Sequence, residues 1–311
     1  MKISRKKHVL ILLLIGIIYF VGVAAIIYPI IGDAYMTNSS KTTIQNYVKT
    51  VENMSDDEIE KKLAEAQKYN ENVAKGTYLE GDDTALNNAD GLICYVDIPA
   101  QDIYLPVYYG TSDEVLEKGC GWIEKTSLPV GGKSTHASIS GHTGLPNAEM
   151  FTKLDQAKLG DVFYIHVLDR LLVYQVDNIN TVSPNDTKHL LVEPDEDYVT
   201  LVTCTPYGIN DKRLLVRGKR IFPEEEPSGQ SQSSLSSADV DGAETTAQAA
   251  MRVDDRLQKV IDHDMRVILI IVAIAVVVFA AACIWLGRIL KHRAKYARKK
   301  PSEEAHEKTE E

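Results

Sequence analysis

Three side chains in this sequence stand where cysteine-based chemistry on a carbonyl group could take place. Cys204 ends the strand-like run Tyr-Val-Thr-Leu-Val-Thr-Cys, and Arg213 begins the next run after a turn that contains Thr-Pro-Tyr-Gly. A turn between adjacent strands can bring these two residues together at the rim of a sheet. His142 lies in Ser-Gly-His-Thr-Gly-Leu-Pro, where the glycines let the backbone bend and keep an imidazole at the surface. A thiolate nucleophile, an imidazole for proton transfer and a guanidinium facing a developing oxyanion would together support acyl transfer.

The same residue types also have simpler interpretations. An isolated cysteine is usually a small buried hydrophobe, and an arginine at the start of a strand is usually solvated. By position alone, His142 is not preferred over three other histidines of the same region, His136, His166 and His189.

The other three cysteines and the absence of several known motifs reduce the number of reaction types that the sequence supports. Four cysteines are too few for a disulfide framework, and Cys283 lies within an apolar run. Cys94 and Cys120 are interpreted as separate thiols, although the sequence also allows a disulfide between them. The sequence contains no HExxH, CxxC, G-x-S-x-G or papain-like Cys-Gly-Ser-Cys-Trp string. We therefore expect neither a metal ion nor a cofactor.

From Gly91 onward the chain is a series of short β-rich runs separated by turn residues. The predicted strands are Leu92 to Ile98, Ile103 to Tyr109, Ala137 to Ser140, Val162 to Val167, Leu171 to Val182, Tyr198 to Thr203 and Leu214 to Phe222. Two helices are predicted among them, Asp113 to Lys118 and Asn147 to Ala157. Many short strands with few helices predict a mainly β fold, a closed or nearly closed antiparallel-rich barrel.

The segment ahead of the barrel has helical periodicity. Apolar residues recur at helical spacing at Ile44, Tyr47, Val48 and Val51. Ser55-x-x-Glu58 then predicts a capping box that opens a second helix, with Ile59, Leu63 and Ala66 on one face. Residues 75–90 are rich in Gly, Asn and Asp and predict a loop.

Two apolar runs, Val9 to Tyr28 and Val267 to Leu286, are long enough to cross a membrane. Each has twenty residues without a charge, and twenty helical residues span about 30 Å, the thickness of a hydrocarbon core. Basic residues precede the first run and follow the second, which predicts cytoplasmic termini and an extracellular centre. A cleavable signal peptide is the alternative for the first run, but that run is longer than a usual signal core and no clear small-x-small cleavage site follows Tyr28.

These patterns divide the chain into six segments. They are a cytoplasmic N-terminus with a transmembrane helix at 1–32, membrane-proximal helices and a loop at 33–90, the barrel at 91–222, a flexible linker at 223–265, a second transmembrane helix at 266–287 and a cytoplasmic tail at 288–311. The linker is rich in Glu, Ser, Gln, Gly and Ala, a composition that buries too little apolar area to order itself. The net charge of −10 argues against a nucleic-acid partner.

The segments around His142 and Cys204 resemble those of sortases, in particular the class C group that assembles pili. The resemblance is carried by Thr-Ser-Leu-Pro-Val-Gly-Gly at 126–132, Ser-Gly-His-Thr-Gly-Leu-Pro at 140–146, Leu-Asp at 154–155, Gly-Asp-Val-Phe-Tyr-Ile-His-Val at 160–167, Thr-Leu-Val-Thr-Cys-Thr-Pro-Tyr-Gly-Ile-Asn at 200–210 and Arg-Leu-Leu-Val-Arg-Gly at 213–218. It runs continuously from about residue 90 to 220 and is therefore far more specific than one short motif.

The resemblance implies an eight-stranded barrel and a role for each site residue. Cys204 would be the nucleophile, His142 its acid/base partner and Arg213 the cation at the oxyanion or substrate. Thr203 and Thr205 would contact substrate, and Arg217, on the same strand face as Arg213, is the fallback for the cation. The implied acyl donor is a pilin or surface protein with an LPxTG-like sorting signal, and the acceptor is a pilin lysine. A second, C-terminal membrane segment is also implied.

The loop ahead of the barrel departs from the family pattern. Class C sortases commonly carry a lid with an Asp-Pro-aromatic motif, but residues 75–90 contain no proline. Tyr78 is the candidate lid aromatic in this sequence.

Three rival functions use the same features differently. A sortase that anchors surface proteins to the cell wall would use another amine acceptor, and a membrane-bound cysteine protease would use water. A wall-anchored cargo protein would also end in an apolar run and a basic tail. Such cargo should carry an LPxTG-like pentapeptide before the run, and none occurs between Pro223 and Arg266.

Overall fold

The computed structural model describes residues 5–77, 81–88, 90–146, 148–221, 259, 262–263, 265–285 and 287–289. The chain divides into two compact units. One unit contains the two terminal apolar segments, and the other, which begins at Gly32, contains the barrel and the helical residues directly before it. The tail from residue 290 lies outside the described residues, as does nearly all of the predicted linker.

Two long helices precede the barrel. Helix α1 covers Arg5–Glu52 and α2 covers Asp56–Lys75. The first predicted amphipathic helix is thus not separate, because it continues the apolar run as part of α1. The predicted capping box is present: the Ser55 hydroxyl accepts from the Glu58 N–H, and the Glu58 carboxylate accepts from the Ser55 N–H. Gly76 ends α2 in a left-handed conformation, with φ 67°.

Eight strands form a closed barrel. The strands are β1 Leu92–Ile98, β2 Ile103–Tyr109, β3 Cys120–Trp122, β4 Thr135–Ser140, β5 Val162–Val167, β6 Arg170–Val182, β7 Asp197–Thr205 and β8 Lys212–Arg220. Their order around the barrel is β1-β2-β3-β4-β7-β8-β6-β5. The pairs β2–β3 and β4–β7 are parallel, and the other pairs are antiparallel. The predicted barrel class is confirmed.

The local predictions differ from the structure in three places. Strand β3 was not predicted, because three residues are too few for a periodic pattern. The predicted helix from Asn147 to Ala157 is wrong over the described residues, where the only helical turn is the 3₁₀ segment Thr152–Gln156. Met150 has φ 43°, which interrupts an α-helix. Helix α3 is present but shorter than predicted, at Asp113–Leu116.

The helices α1 and α2 are fastened to the barrel by buried polar contacts. The Tyr47 hydroxyl of α1 donates to the Ile93 carbonyl at 3.1 Å and accepts from the Leu168 N–H at 2.8 Å. The Asn70 amide of α2 donates to the Leu128 carbonyl and accepts from its N–H, at 3.0 and 2.6 Å. Buried polar groups need such partners, so these contacts fix the position of α2 and of the part of α1 around Tyr47 against the barrel.

Strand alternation gives β7 and β8 two distinct faces. Val199 and Leu201 of β7, with Leu214 and Val216 of β8, belong to the barrel core. The alternate positions form the outer face, where Tyr198, Thr200, Val202 and Cys204 pair with Lys219, Arg217, Leu215 and Arg213. Cys204 and Arg213 therefore share the outer face at one end of the two strands.

The terminal apolar segments are helical. Both Leu14–Glu52 and Met265–Ile289 contain helices long and apolar enough to cross a membrane. Most large apolar side chains of these segments are exposed in the isolated chain, among them Leu14, Ile18, Val21, Leu269 and Val277. A soluble protein buries such a surface, whereas a bilayer covers it.

Candidate active site at one end of the barrel

The nucleophile candidate lies at the end of β7. Cys204 is half-buried, and its thiol forms no disulfide. Its register partner on β8 is Arg213. Paired residues of antiparallel strands have Cα atoms about 4.5–5.5 Å apart, so the thiol and the guanidinium start from neighbouring backbone positions. The predicted closeness of Cys204 and Arg213 is thus built into the β7–β8 hairpin.

The histidine reaches the same end of the barrel from the other side of β7. Strand β4 runs parallel to β7, and their last register pair is Ser140 with Val202. In this last pair the Gly141 N–H donates to the Val202 carbonyl at 3.0 Å, and the Thr203 hydroxyl donates to the Gly141 carbonyl at 2.7 Å. His142 directly follows Gly141 and Cys204 directly follows Thr203, so both residues lie at this end of the two strands. The structure therefore brings the three predicted residues to one edge, with Cys204 in the middle.

The backbone around His142 is held by the segment that follows it. The Phe151 N–H donates to the His142 carbonyl at 3.0 Å, and the Gly144 N–H donates to the Thr152 hydroxyl at 3.1 Å. The Phe151 ring also lies against Gly141, where an added Cβ would approach ring atoms to 2.7 Å. Only glycine allows this contact, so the ring and the glycine together define the path of the chain into His142.

Thr203 connects the cysteine strand to the histidine loop. Its side chain is 3% exposed. Its hydroxyl donates to the Gly141 carbonyl at 2.7 Å and is hydrogen-bonded to the Thr143 hydroxyl. These bonds show that the Thr203 hydroxyl helps to position the histidine loop, and its expected substrate contact stays a prediction. Thr205 is half-buried at the strand end, where its expected substrate contact stays a prediction.

The two candidate arginines differ in how their charges are balanced. The Arg213 guanidinium donates to the Lys212 and Asn210 carbonyls at 3.1 and 3.4 Å. Among the described residues no carboxylate lies within ion-pair distance of it. Arg217 instead forms ion pairs with Asp177 at 2.8 Å and with Glu193 at 3.0 Å.

The two arginines also differ in their distance from Cys204 along the strands. Arg217 pairs with Thr200, four residues before Cys204 on β7, which is about 13 Å along a strand. Its guanidinium lies 4.0 Å from the centre of the Tyr198 ring. Carboxylates and a ring thus surround Arg217, whereas Arg213 is the register partner of Cys204 and has no carboxylate partner within the described part of the chain.

The turn between β7 and β8 covers part of the histidine loop. The Tyr207 ring lies against Gly144, where an added Cβ would be 3.3 Å from the ring. Tyr207 is 66% exposed, and Ile209 on the same turn is 69% exposed. These two side chains give the end of the barrel an apolar surface next to Cys204.

The other histidines have local structural roles. His136 is buried and bonded to the Leu191 carbonyl and the Thr200 hydroxyl, at 2.8 and 2.7 Å, and burial lowers its pKa. His166 stacks on Tyr95 with ring centres 4.3 Å apart, and burial lowers its pKa to about 3. His189 lies in the 3₁₀ segment Lys188–Leu190, which is not part of the β4, β7 or β8 strand ends. Buried neutral imidazoles do not exchange protons readily near neutral pH, which leaves His142 as the proton-transfer candidate.

The buried cysteines are separate thiols. Cys94 on β1 and Cys120 on β3 both pair with Val107 on the intervening β2. Two strand spacings put their Cα atoms about 9–10 Å apart, beyond the roughly 4.4–6.8 Å of a disulfide. Burial raises the pKa of both thiols, which keeps them protonated and unreactive.

Tyr78, the candidate lid residue, lies outside the described residues. The residues that follow in the same loop are held against the barrel. The Tyr109 hydroxyl of β2 donates to the Asp83 carboxylate at 2.6 Å, and the Leu86 side chain is buried. A 3₁₀ turn, Asp82–Thr84, occurs within this predicted loop.

Sequence reasoning missed the residues that support His142. Phe151, Thr152 and Thr143 hold its loop, but none of them is of a catalytic type. The available signal was Gly141, since a glycine directly before a candidate histidine indicates a close approach by another group.

Comparisons with known proteins agree with this geometry. Residues 96–221 match the family described as Sortase domain. The crystal structure of sortase C from Streptococcus pneumoniae, which addresses catalysis and pilin substrate specificity, is 46% identical, covering 58% of this chain and 96% of that one with a TM-score of 0.54.

Two further relatives are similar. The structure of Clostridium perfringens sortase C with the C-terminal cell wall sorting motif is 46% identical, covering 58% of this chain and 98% of that one, with a TM-score of 0.56. Sortase A of Streptococcus agalactiae is 26% identical over 198 residues, which are 62% of this chain and 77% of that protein.

Proposed function

Since the chain belongs to the sortase family of cysteine transpeptidases, we propose that it cleaves a sorting signal through a Cys204 thioester and transfers the acyl group to an amine. The observation that carries this proposal is the position of Cys204 between two partners, Arg213 on β8 and the His142 loop beside β4. His142 is the acid/base partner in this mechanism, and Arg213 is the cation that stabilises the oxyanion.

Formation of the acyl-enzyme consumes one peptide bond. The Cys204 thiolate attacks the peptide carbonyl, and negative charge develops on the carbonyl oxygen. The Arg213 guanidinium, which has no carboxylate to neutralise it among the described residues, stabilises that charge. The C–N bond then breaks, His142 gives its proton to the departing amine, and a thioester remains on Cys204.

Transfer to the acceptor reverses the proton movement. The incoming amine loses a proton to His142 and attacks the thioester carbonyl. The C–S bond breaks, the thiolate of Cys204 is restored, and a new amide bond is formed. No oxidant, metal ion or cofactor enters this sequence of steps.

The acyl donor that we propose is a pilin with an LPxTG-like sorting signal, and the acceptor is a lysine of another pilin. The supporting observation is the 46% identity to a sortase C whose structure addresses pilin substrate specificity. The two apolar helices further support an enzyme held in the membrane, with both termini cytoplasmic and the barrel outside. Membrane anchoring would keep the enzyme beside substrates that are themselves membrane-bound.

The direct test is capture of the acyl-enzyme. The full chain in detergent is incubated with an LPxTG-like peptide, with and without a lysine-containing pilin domain, and is analysed by intact mass. We expect a thioester adduct on the unchanged chain and none on Cys204→Ala. Cys283→Ala is the matched control, because Cys283 is an exposed thiol on the C-terminal apolar helix, and it should form the adduct normally.

The outcomes separate the rival functions. An isopeptide product with the pilin lysine supports pilus polymerisation. Product formed only with a cell-wall amine would favour surface-protein anchoring, and hydrolysis unaffected by any amine would favour a protease. An adduct on Cys204→Ala would overturn the assignment of the nucleophile.

A further inference from the structure

The two apolar helices face each other within one unit of the structure. Ala275 of the C-terminal helix accepts a hydrogen bond on its carbonyl from the Tyr19 hydroxyl of α1, at 2.8 Å. The Phe279 ring lies 5.0 Å from the Phe20 ring and 5.8 Å from the Tyr19 ring, measured between centres. Phe279 also covers Gly16, whose added Cβ would lie 3.5 Å from the ring.

The sheltered residues form one stripe on each helix. On α1 the less exposed positions include Gly16, Tyr19, Val23 and Ile27, and on the C-terminal helix they include Ile268, Ile271, Ala275 and Phe279. Steps of three and four residues keep each set on a single helix face. Outside these stripes the side chains are mostly exposed, as expected where lipid would contact them.

The contacts join residues of equal depth in a membrane. The span Val9 to Tyr28 and the span Val267 to Leu286 run in opposite directions, so Val9 matches Leu286 and Tyr28 matches Val267. By the same count, Gly16 matches Phe279 and Tyr19 matches Val276, next to Ala275. The residues that pack against each other are therefore the residues that would lie at the same depth if both runs crossed one bilayer. The packing contacts and the lengths of the apolar runs are independent observations, and they agree.

The polar contact lies near the middle of both spans. Tyr19 is the eleventh residue of its twenty-residue run, and Ala275 is the ninth of its run. A hydroxyl at this depth has no water to bond, and an unpaired polar group in hydrocarbon is costly. The Ala275 carbonyl provides the partner that Tyr19 needs.

We propose that the two helices form an antiparallel transmembrane hairpin within one chain, closed at mid-depth by Tyr19 on Ala275 and by Phe279 on Gly16. The inference rests on the membrane location proposed above. It makes the C-terminal helix a specific packing partner of α1 in addition to a second membrane anchor.

Cross-linking of the full chain in bacterial membranes tests the hairpin. In a Cys204→Ser, Cys283→Ala background with a protease site inserted in the linker, Ile27→Cys is combined with Ile268→Cys and treated with a short bifunctional thiol reagent. These two positions lie on the sheltered stripes at matched depth and leave the Tyr19–Ala275 and Gly16–Phe279 contacts in place. The control combines Ile18→Cys with Val277→Cys, which are equally matched in depth but 62% and 67% exposed. After protease cleavage, we expect the two fragments to stay joined in the first protein and to separate in the control.

A second variant tests the hydrogen bond. Tyr19→Phe in the cross-linking pair should slow the initial rate of cross-linking about threefold, the average effect of one interhelical hydrogen bond in a membrane. Tyr28→Phe is the matched control, since Tyr28 is 61% exposed at the end of the span, and it should leave the rate unchanged.

The cross-linking results test the hairpin and do not test the proposed enzymatic function. Equal linking of both pairs, no linking of either, or linking only between two chains would overturn it. Peptide cleavage is measured in parallel on Cys204-containing chains with Tyr19→Phe, where we expect normal activity. Loss of cleavage in the unchanged chain would contradict the proposed function without affecting the cross-linking result.

Discussion

At the scale of single residues, charge balance distinguishes the two arginines of β8. A guanidinium that already faces two carboxylates has little attraction left for an oxyanion, because the local charges cancel. Arg217 is in that position with Asp177 and Glu193. Arg213 bonds only neutral carbonyls among the described residues, so no described carboxylate cancels its charge.

This difference predicts the effect of arginine variants. Arg213→Ala should lower kcat/KM by about 10²–10³-fold, the scale of losing one oxyanion donor, and Arg213→Lys should recover only part of it because the planar fork is lost. Arg217→Ala should lower the melting temperature and leave kcat/KM nearly unchanged. Peptide-cleavage kinetics with thermal melts measure both effects. A severe kinetic defect in Arg217→Ala with a mild one in Arg213→Ala would exchange the two roles.

The buried His166 predicts a dependence of stability on pH. Its pKa is about 3 in the folded chain and about 6.5 when exposed, with burial as the cause. Above pH 6.5 both states are neutral, and the group has no effect. As the pH falls from 6.5 toward 3, only the unfolded state gains the proton, so stability falls by up to about 1.4 kcal/mol per pH unit.

Removing the His166 imidazole should reduce the loss of stability that occurs as the pH falls. His166→Phe keeps a ring to stack on Tyr95, and its melting temperature should fall less than that of the unchanged chain between pH 7 and pH 5. His189→Gln, a change at a half-buried surface histidine, serves as the control. An identical acid slope in His166→Phe and the unchanged chain would show that His166 is not the titrating group.

At the scale of elements, the site depends on how the histidine loop is held between β4, β7 and the segment around Phe151. The Gly141 carbonyl, the Gly144 N–H and the His142 carbonyl are all engaged by groups outside the loop. An imidazole on such a backbone has few positions available to it. Pre-organisation of this kind lowers the reorganisation needed during the reaction.

Gly141→Ala should therefore disturb catalysis without contact to substrate. The new methyl group would approach the Phe151 ring to 2.7 Å, which forces the loop or the ring to move. We expect a lower kcat with a smaller change in KM, and partial recovery in Gly141→Ala combined with Phe151→Leu. Steady-state kinetics and thermal melts of the single and double variants provide the measurement. If the double variant is no more active than Gly141→Ala, the clash is not what lowers kcat.

The sequence predicted most of the barrel, because alternation and turn residues are local signals. Seven of the eight strands were predicted from such runs. The pairing of Cys204 with Arg213 could be predicted from the β7–β8 turn alone, without knowledge of the other strands. The parallel pairing of β4 with β7 is not readable in this way, since the two strands are far apart in sequence. The placement of the His142 loop beside the end of β7 and the ion pairs of Arg217 depend on such distant partners, and both required the structure.

At the scale of the whole molecule, the barrel is complete before the second apolar helix begins. Strand β8 ends at Arg220, and β1 pairs with β5 to close the sheet. Every strand of the barrel therefore comes from residues 92–220. We expect the C-terminal helix to contribute to membrane organisation and not to the chemistry.

Deletion of residues 265–311 tests this division. The protein ending at Asp264 should fold and cleave a sorting-signal peptide in detergent at the rate of the full chain. On cells it should assemble less polymer, because a second tether raises the effective concentration of enzyme near membrane-proximal substrates. Failure of the shortened protein to cleave peptide in vitro would make the C-terminal segment part of the catalytic unit.

The parallel arrangement of β4 and β7 also has a kinetic consequence for the newly made chain. Cys204 meets Arg213 across one hairpin, a contact that forms in about 1–10 μs. Gly141 and Thr203, the neighbours of His142 and Cys204, are 62 residues apart in sequence, and such long-range pairing is slow to form. We expect the Cys204 thiol to remain distant from the His142 imidazole until β4 pairs with β7 and the barrel closes. An unfinished chain emerging beside its substrates would then be unable to acylate itself, and the order of folding would act as a safeguard on the reaction.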